Sequence, residues 1–121
     1  MQNPDNLRVT GEARQLAIEV YRVTNNFPKA ELFGLTTQMR RAAVSVGSNI
    51  AEGCGRFGNR ELVQYLQIAL GSASELEFQT RIAGDLGMLT TADAVSLPRQ
   101  VETVKRMLTR LIKSHRSRGR Q

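Results

Sequence analysis

Four groups of residues in this 121-residue chain have types and spacings that chemistry asks for. Gly53, Gly55 and Gly58 spell G-x-G-x-x-G, the string that cradles a dinucleotide pyrophosphate. That chemistry needs a strand before the string and a helix N-terminus after it. Here the string follows a helical pattern, and no segment alternates with the period of two that marks a strand. It therefore reads as a turn between helices, with Arg56, Arg60 and the next helix N-terminus as a lesser, phosphate-holding alternative. Arg41, Ser45, Asn49 and Glu52 step by four, four and three, which makes them neighbours on one helix surface. Ser72, Glu75 and Gln79 form a similar row further on. Serine, asparagine and glycine suit such a surface poorly if solubility is all it supplies. The rows read as a hydrogen-bonded network, either between the two helices or across a subunit boundary. Arg99, Arg106 and Lys113 are seven apart, Arg110 lies near them, and Arg116, Arg118 and Arg120 follow. Cations so placed suit contacts to phosphate, although a solvated outer face is the ordinary explanation.

The fourth group is the catalytic inventory, and it is poor. The one histidine, His115, falls in a basic tail, so no Cys/His or Ser/His arrangement can be built within one subunit. Glu52, Glu61, Glu75 and Glu77 are spread over two helices, without the Glu-x-x-His pairs of a di-metal bundle. Cys54 near Arg56 reads as a passive small side chain more readily than as a reactive thiol. No enzyme, cofactor or metal site is expected.

Composition narrows the partners. With 121 residues, 40% of them hydrophobic, there is enough chain for one domain with a core and too little for two. No run approaches the ~18 apolar residues of a membrane span. Residues 1–14 hold acids and no apolar stretch, so no secretory signal is expected, and the single cysteine predicts a reducing cytoplasm. The lack of tryptophan and the few aromatic side chains argue against a base-stacking platform for single strands. The net charge is +6, yet residues 1–89 balance nine basic against nine acidic side chains. The whole excess lies in residues 90–121, where Lys105 joins the seven cations named above against Asp93 and Glu102. Such asymmetry points to an anionic partner for one part of the molecule.

The elements that must position these groups are helical. Glu12 to Phe27 reads as a first helix, with Ala13, Leu16, Ala17, Val20, Val23, Thr24 and Phe27 inward and Pro28 ending it. Leu32 and Phe33 are expected to plug the end of the core. Leu35, Met39, Ala42, Ala43, Val46 and Ile50 form the stripe of a second helix, capped by Thr36 or Thr37. Gly47 should weaken or bend it by ~1 kcal/mol. Asn59 caps a third helix that runs to about Asp85, with Gly87 as its stop. Its small stretch, Gly71-Ser72-Ala73-Ser74, predicts a tight helix contact. Thr90 to Asp93 resembles a capping box opening a fourth helix. Leu97, Val101, Val104, Leu108 and Leu111 then follow a four-three-four-three spacing. Pro98 predicts either a kink or a helix beginning near Leu97, and the tail from Ser114 onward should fray. Four amphipathic helices with short connections predict an all-α, antiparallel up-down-up-down four-helix bundle, a single domain over residues 1–121.

Several runs carry a resemblance. Gly34-Leu35-Thr36, Gln38 through Val46, Ser48-Asn49-Ile50-Ala51-Glu52-Gly53, Ala69-Leu70-Gly71-Ser72 and Glu75-Leu76-Glu77 resemble the bacterial 23S rRNA-intervening-sequence proteins, also labelled S23 ribosomal proteins. The resemblance extends from Leu7 to about Lys113 and implies a four-helix bundle assembled as a ring-like homopentamer. It implies likeness to the accessory protein of diversity-generating retroelements, which works with a reverse transcriptase and RNA. The family label reflects where some genes lie and does not establish a ribosomal role. The chain departs from the family pattern at Gly47, where proline is frequent, and in carrying Pro98.

Two functions follow. One is a non-enzymatic homo-oligomeric accessory protein that binds structured RNA or DNA through phosphates, with Arg99, Arg106, Arg110, Lys113, Arg116, Arg118 and Arg120 as the contacts. The other is an oligomeric scaffold for protein partners, in which the basic tail serves solubility. Neither involves a membrane.

Overall fold

The computed structural model describes residues 4–119, which form four helices: α1 (Pro4–Thr24), α2 (Thr37–Cys54), α3 (Asn59–Asp85) and α4 (Thr91–Gly119). No strand occurs among the described residues. Each helix lines up buried residues at alternating steps of three and four, which gives one face to bury. On α4 that seam is Leu97, Val101, Val104, Leu108 and Leu111, all buried. On α3 it runs Leu62, Leu66, Ala69, Ala73, Leu76, Thr80 and Ala83. The helices pack in a ring, α1 on α2, α2 on α3, α3 on α4 and α4 on α1.

Side-chain pairs fix the directions. Arg40 at the start of α2 donates to Thr24 at the end of α1, at 2.8 Å. Arg56, just past α2, donates to Tyr65 near the start of α3, at 3.0 Å. Arg22 near the end of α1 pairs with Asp93 at the start of α4, at 2.7 Å. Neighbouring helices therefore run antiparallel, as the short connections require.

Two glycines explain two of the connections. Gly87 has φ 73°, and behind it Met88 N–H donates to Ala83 and Gly87 N–H to Gly84, at 2.9 and 3.0 Å. That is a Schellman ending, which a glycine in the left-handed region makes without strain. Gly53 lies at a close approach of α2 and α3, because a Cβ there would sit 2.8 Å from Tyr65 Cβ and 3.1 Å from Leu62 Cδ1.

Several expectations are corrected. Helix α1 begins two turns before Glu12, because Asn6 and Val9 extend the buried stripe backwards, and it ends at Thr24 with Phe27 in the turn beyond. Leu32 and Phe33 do not plug the core, for they are 49% and 92% exposed. The chain instead winds through one wide turn, Leu32–Thr36, broken at Gly34, of which only Leu35 and Thr36 are buried. Thr36 holds the N-cap position of α2 as expected but its side chain makes no capping bond, while Glu31 accepts from Leu35 N–H at 3.2 Å and the Thr37 hydroxyl donates to the Leu32 carbonyl. Asn59 does not cap α3 either; Gly58 holds that position without a side-chain bond. Thr90 does cap α4, accepting from Asp93 N–H at 3.1 Å, but Asp93 turns its carboxylate to Arg22 rather than back to the cap. Helix α4 is continuous from Thr91 through Pro98, so it does not begin near Leu97. Pro98 offers no N–H to the Ala94 carbonyl one turn back.

The tail is not frayed through Ser114–Gly119, which remain helical. The reason is His115, only 4% exposed, which occupies the next seam position after Leu111. Its Nδ1 lies 3.2 Å from Asn59 Oδ1 and its Nε2 3.4 Å from Asn6 Oδ1. Asn59 and Asn6 are themselves the first seam positions of α3 and α1, so the core ends there in a polar plug. Burial, and to a lesser degree Arg118, hold the imidazole below its ordinary pKa, so the ring is neutral. A neutral ring has one N–H, so it can donate to only one of these two amide oxygens.

Two outcomes are expected. Gly53→Ala should destabilise the fold by about 1–3 kcal/mol through overpacking, whereas Gly71→Ala, where a Cβ meets nothing within 4 Å, should stabilise it by up to ~1 kcal/mol. Urea denaturation of both variants checks the pair. Because the folded state disfavours protonated His115, its contribution is complete above the unfolded histidine pKa and is lost as pH falls below it. The urea midpoint should fall between about pH 7 and pH 5. His115→Gln, which removes the only histidine, should flatten that slope.

Candidate nucleic-acid interface

Helix α4 presents its seam inward, so residues half a turn away must face out. Arg99, Arg106, Arg110 and Lys113 are accordingly exposed, and steps of seven residues place cations about 10 Å apart along the helix. Arg106 has Glu102 one turn back at 3.6 Å, but both are exposed, and such a pair contributes at most ~0.5 kcal/mol. Arg99 and Lys113 make no ion pair with another described residue. Arg110 shares a hollow of about 270 Å³ with Arg8 and Asp5 against Met107 and Leu111. Lys105 leaves this face: it donates to Glu77 of α3 at 3.0 Å, which holds that carboxyl below its usual range. Arg116 and Arg118 are exposed on the last described turns, whereas Arg120 lies outside the described residues.

The polar row divides. Ser45 and Ser72 bridge α2 and α3 hydroxyl to hydroxyl at 2.9 Å, and Asn49 donates to the Ser45 carbonyl at 2.8 Å and to its hydroxyl at 3.0 Å. These three are half-buried on the α2–α3 seam within one subunit. Arg41 and Glu75 flank the same seam around a shallow hollow and stay exposed. Glu52 belongs elsewhere: Arg56 donates to it at 2.7 Å while lying over the Tyr65 ring, 5.2 Å from its centre. Gln79 is not in the row at all. Lying between two seam positions it is buried, and its Oε1 has no hydrogen-bond partner among the described residues.

Three groupings escaped the sequence reading. Arg40 lies over the Tyr21 ring at 4.6 Å, a pairing across two helices that no local spacing displays. His115 with Asn6 and Asn59 was legible only by carrying the seams through polar residues. Arg60 of α3 and Arg116 of α4 share an open groove of about 600 Å³, with Gln64 and Gln67 on its walls. The glycine string proves to be the end of α2 and the turn beyond it, so the pyrophosphate geometry is absent.

Burial pushes the Cys54 thiol up, away from thiolate. Among the described residues no three His, Cys, Asp or Glu side chains are grouped to hold a metal. None of the described helices is long and apolar enough to cross a membrane.

The comparisons with known proteins agree with this architecture. A crystal structure from Bacteroides thetaiotaomicron VPI-5482, described as a protein with unknown function from the S23 ribosomal protein family, superposes with TM-score 0.81. It is 21% identical, and the match covers 90% of this chain and 98% of that one, a likeness of fold. No curated protein matches the chain. The family model described as 23S rRNA-intervening sequence protein matches residues 5–110, and the chain belongs to that family.

Proposed function

We propose that this protein is a non-enzymatic homo-oligomeric accessory protein that binds structured RNA or DNA through the outer face of α4. The observation that carries the reading is the uncompensated face itself. Arg99, Arg106, Arg110 and Lys113 stand exposed on one side of one helix, while residues 1–89 are charge-balanced. Guanidinium and ammonium groups so spaced meet phosphates and release counterions, which gives affinity without base specificity. Repetition of the face in a homo-oligomer, five copies by the family resemblance, multiplies the effect by raising the local concentration of cations.

A protein-binding scaffold is the second reading, favoured by exposed apolar side chains. Ile68 and Phe78 on α3, Ile18 and Tyr21 on α1, and Val44 on α2 all face outward. The same residues suit contacts between copies of this chain.

The test is binding of the purified protein to a hairpin RNA and a matched duplex DNA across a salt series, with its mass from light scattering. Affinity should fall steeply with salt, equally for unrelated sequences. Replacing Arg106, Arg110 and Lys113 together with glutamine should weaken binding and reduce the log–log salt slope by about two to three units per subunit in contact. An oligomer that binds neither probe at low salt would overturn the nucleic-acid reading and leave the scaffold. Point substitutions are preferable to removing residues 114–121, because that deletion also removes His115 from the core.

A further inference from the structure

The groove between the start of α3 and the end of α4 is distinct from the outer face of α4 yet continuous with it. Arg116 lies on the flank of α4 that meets α3, one turn beyond Lys113, and there it shares the groove with Arg60. Neither arginine makes an ion pair with another described residue, and the groove lining contains no carboxylate. Two guanidinium groups on one concave surface repel unless an anion lies between them. The volume, about 600 Å³, is more than one phosphate occupies and falls in the range of small-ligand clefts. Gln64 and Gln67 on the same walls each carry a donor and an acceptor, the combination that meets the edge of an unpaired base. Phe57, which precedes the lining residue Gly58 in sequence, is 100% exposed. One ring can cap one base, which suits a site for a single nucleotide rather than a tract.

We infer that this groove holds one unpaired nucleotide, its phosphate between Arg60 and Arg116 and its base edge against Gln64 and Gln67, adjoining a paired segment that lies on α4. The inference rests on the nucleic-acid reading above and narrows it: the preferred partner has a junction between paired and unpaired strands.

The test uses the full chain and three RNA probes: a blunt hairpin, the same hairpin with a five-nucleotide single-stranded extension, and the extension alone. Binding is read by fluorescence anisotropy at one fixed salt concentration. The extension should tighten hairpin binding by about tenfold or more through linkage of two sites. The double variant Arg60→Ser/Gln67→Ala, both exposed positions, should lose that increment and keep blunt-hairpin affinity within about twofold. Equal affinity for blunt and extended hairpins, or an increment that survives the double variant, overturns the groove and leaves the α4 face intact. Binding of the extension alone, lost in the double variant, with no binding of the blunt hairpin, upholds the groove and overturns the α4 face as a duplex surface.

Discussion

The contact on which the rest of the architecture depends is the approach of α2 and α3 at Gly53. A side chain larger than hydrogen there would collide with the Cβ of Tyr65, an atom close to backbone that cannot swing away. Because the two helices meet so closely at that point, a turn from Gly55 to Gly58 suffices to join them. Arg56 in the turn can then reach Glu52 behind it and Tyr65 ahead of it. The same closeness sets the register further along the pair, where Ser45 and Ser72 come within hydrogen-bonding distance. It also delivers Asn59 to the base of the core, where His115 waits.

Much of this was legible in the sequence, and the reason is periodicity. Apolar residues at steps of three and four announce a helix whatever its partners, so four helices, the α4 seam and the Gly87 ending follow from the residues alone. What escaped shares one physical cause. Counting apolar residues stops where a seam continues through polar ones. Asn6, Asn59 and His115 occupy seam positions, yet the first was left ahead of the first helix, the second read as a cap and the third as part of a frayed tail. Leu32 and Phe33 failed in the opposite sense. They are apolar but lie in a turn whose path, set by the break at Gly34, leaves them outside. Of the candidate site, the outward placement of the α4 cations followed from the seam, since a helix with one face buried leaves the other in water. The groove did not, because Arg60 and Arg116 are 56 residues apart and only the closed bundle brings them together.

Charge is partitioned with the same economy. Lys105 is turned to an acid of the neighbouring α3, at Glu77. It helps hold α4 against α3 and so orients the face that carries the others. A structural cation and a presented set of cations thus share one helix, separated by about a third of a turn. The partial burial of Glu77 strengthens that single tie, whereas the i,i+4 pair of Arg106 with Glu102 lies in water and leaves the guanidinium available.

The polar plug also orders the birth of the molecule. Asn6 meets a partner 109 residues further along the chain. At ordinary rates of translation, about 5–20 residues per second, the first turns of α1 are made some 5–20 seconds before His115. During that interval Asn6 and Val9 have no fourth helix to lie against, and α2 and α3 can associate only with each other and with α1. Closure of this end of the bundle therefore waits for the end of α4, and until then the first turns of α1 keep part of their seam uncovered.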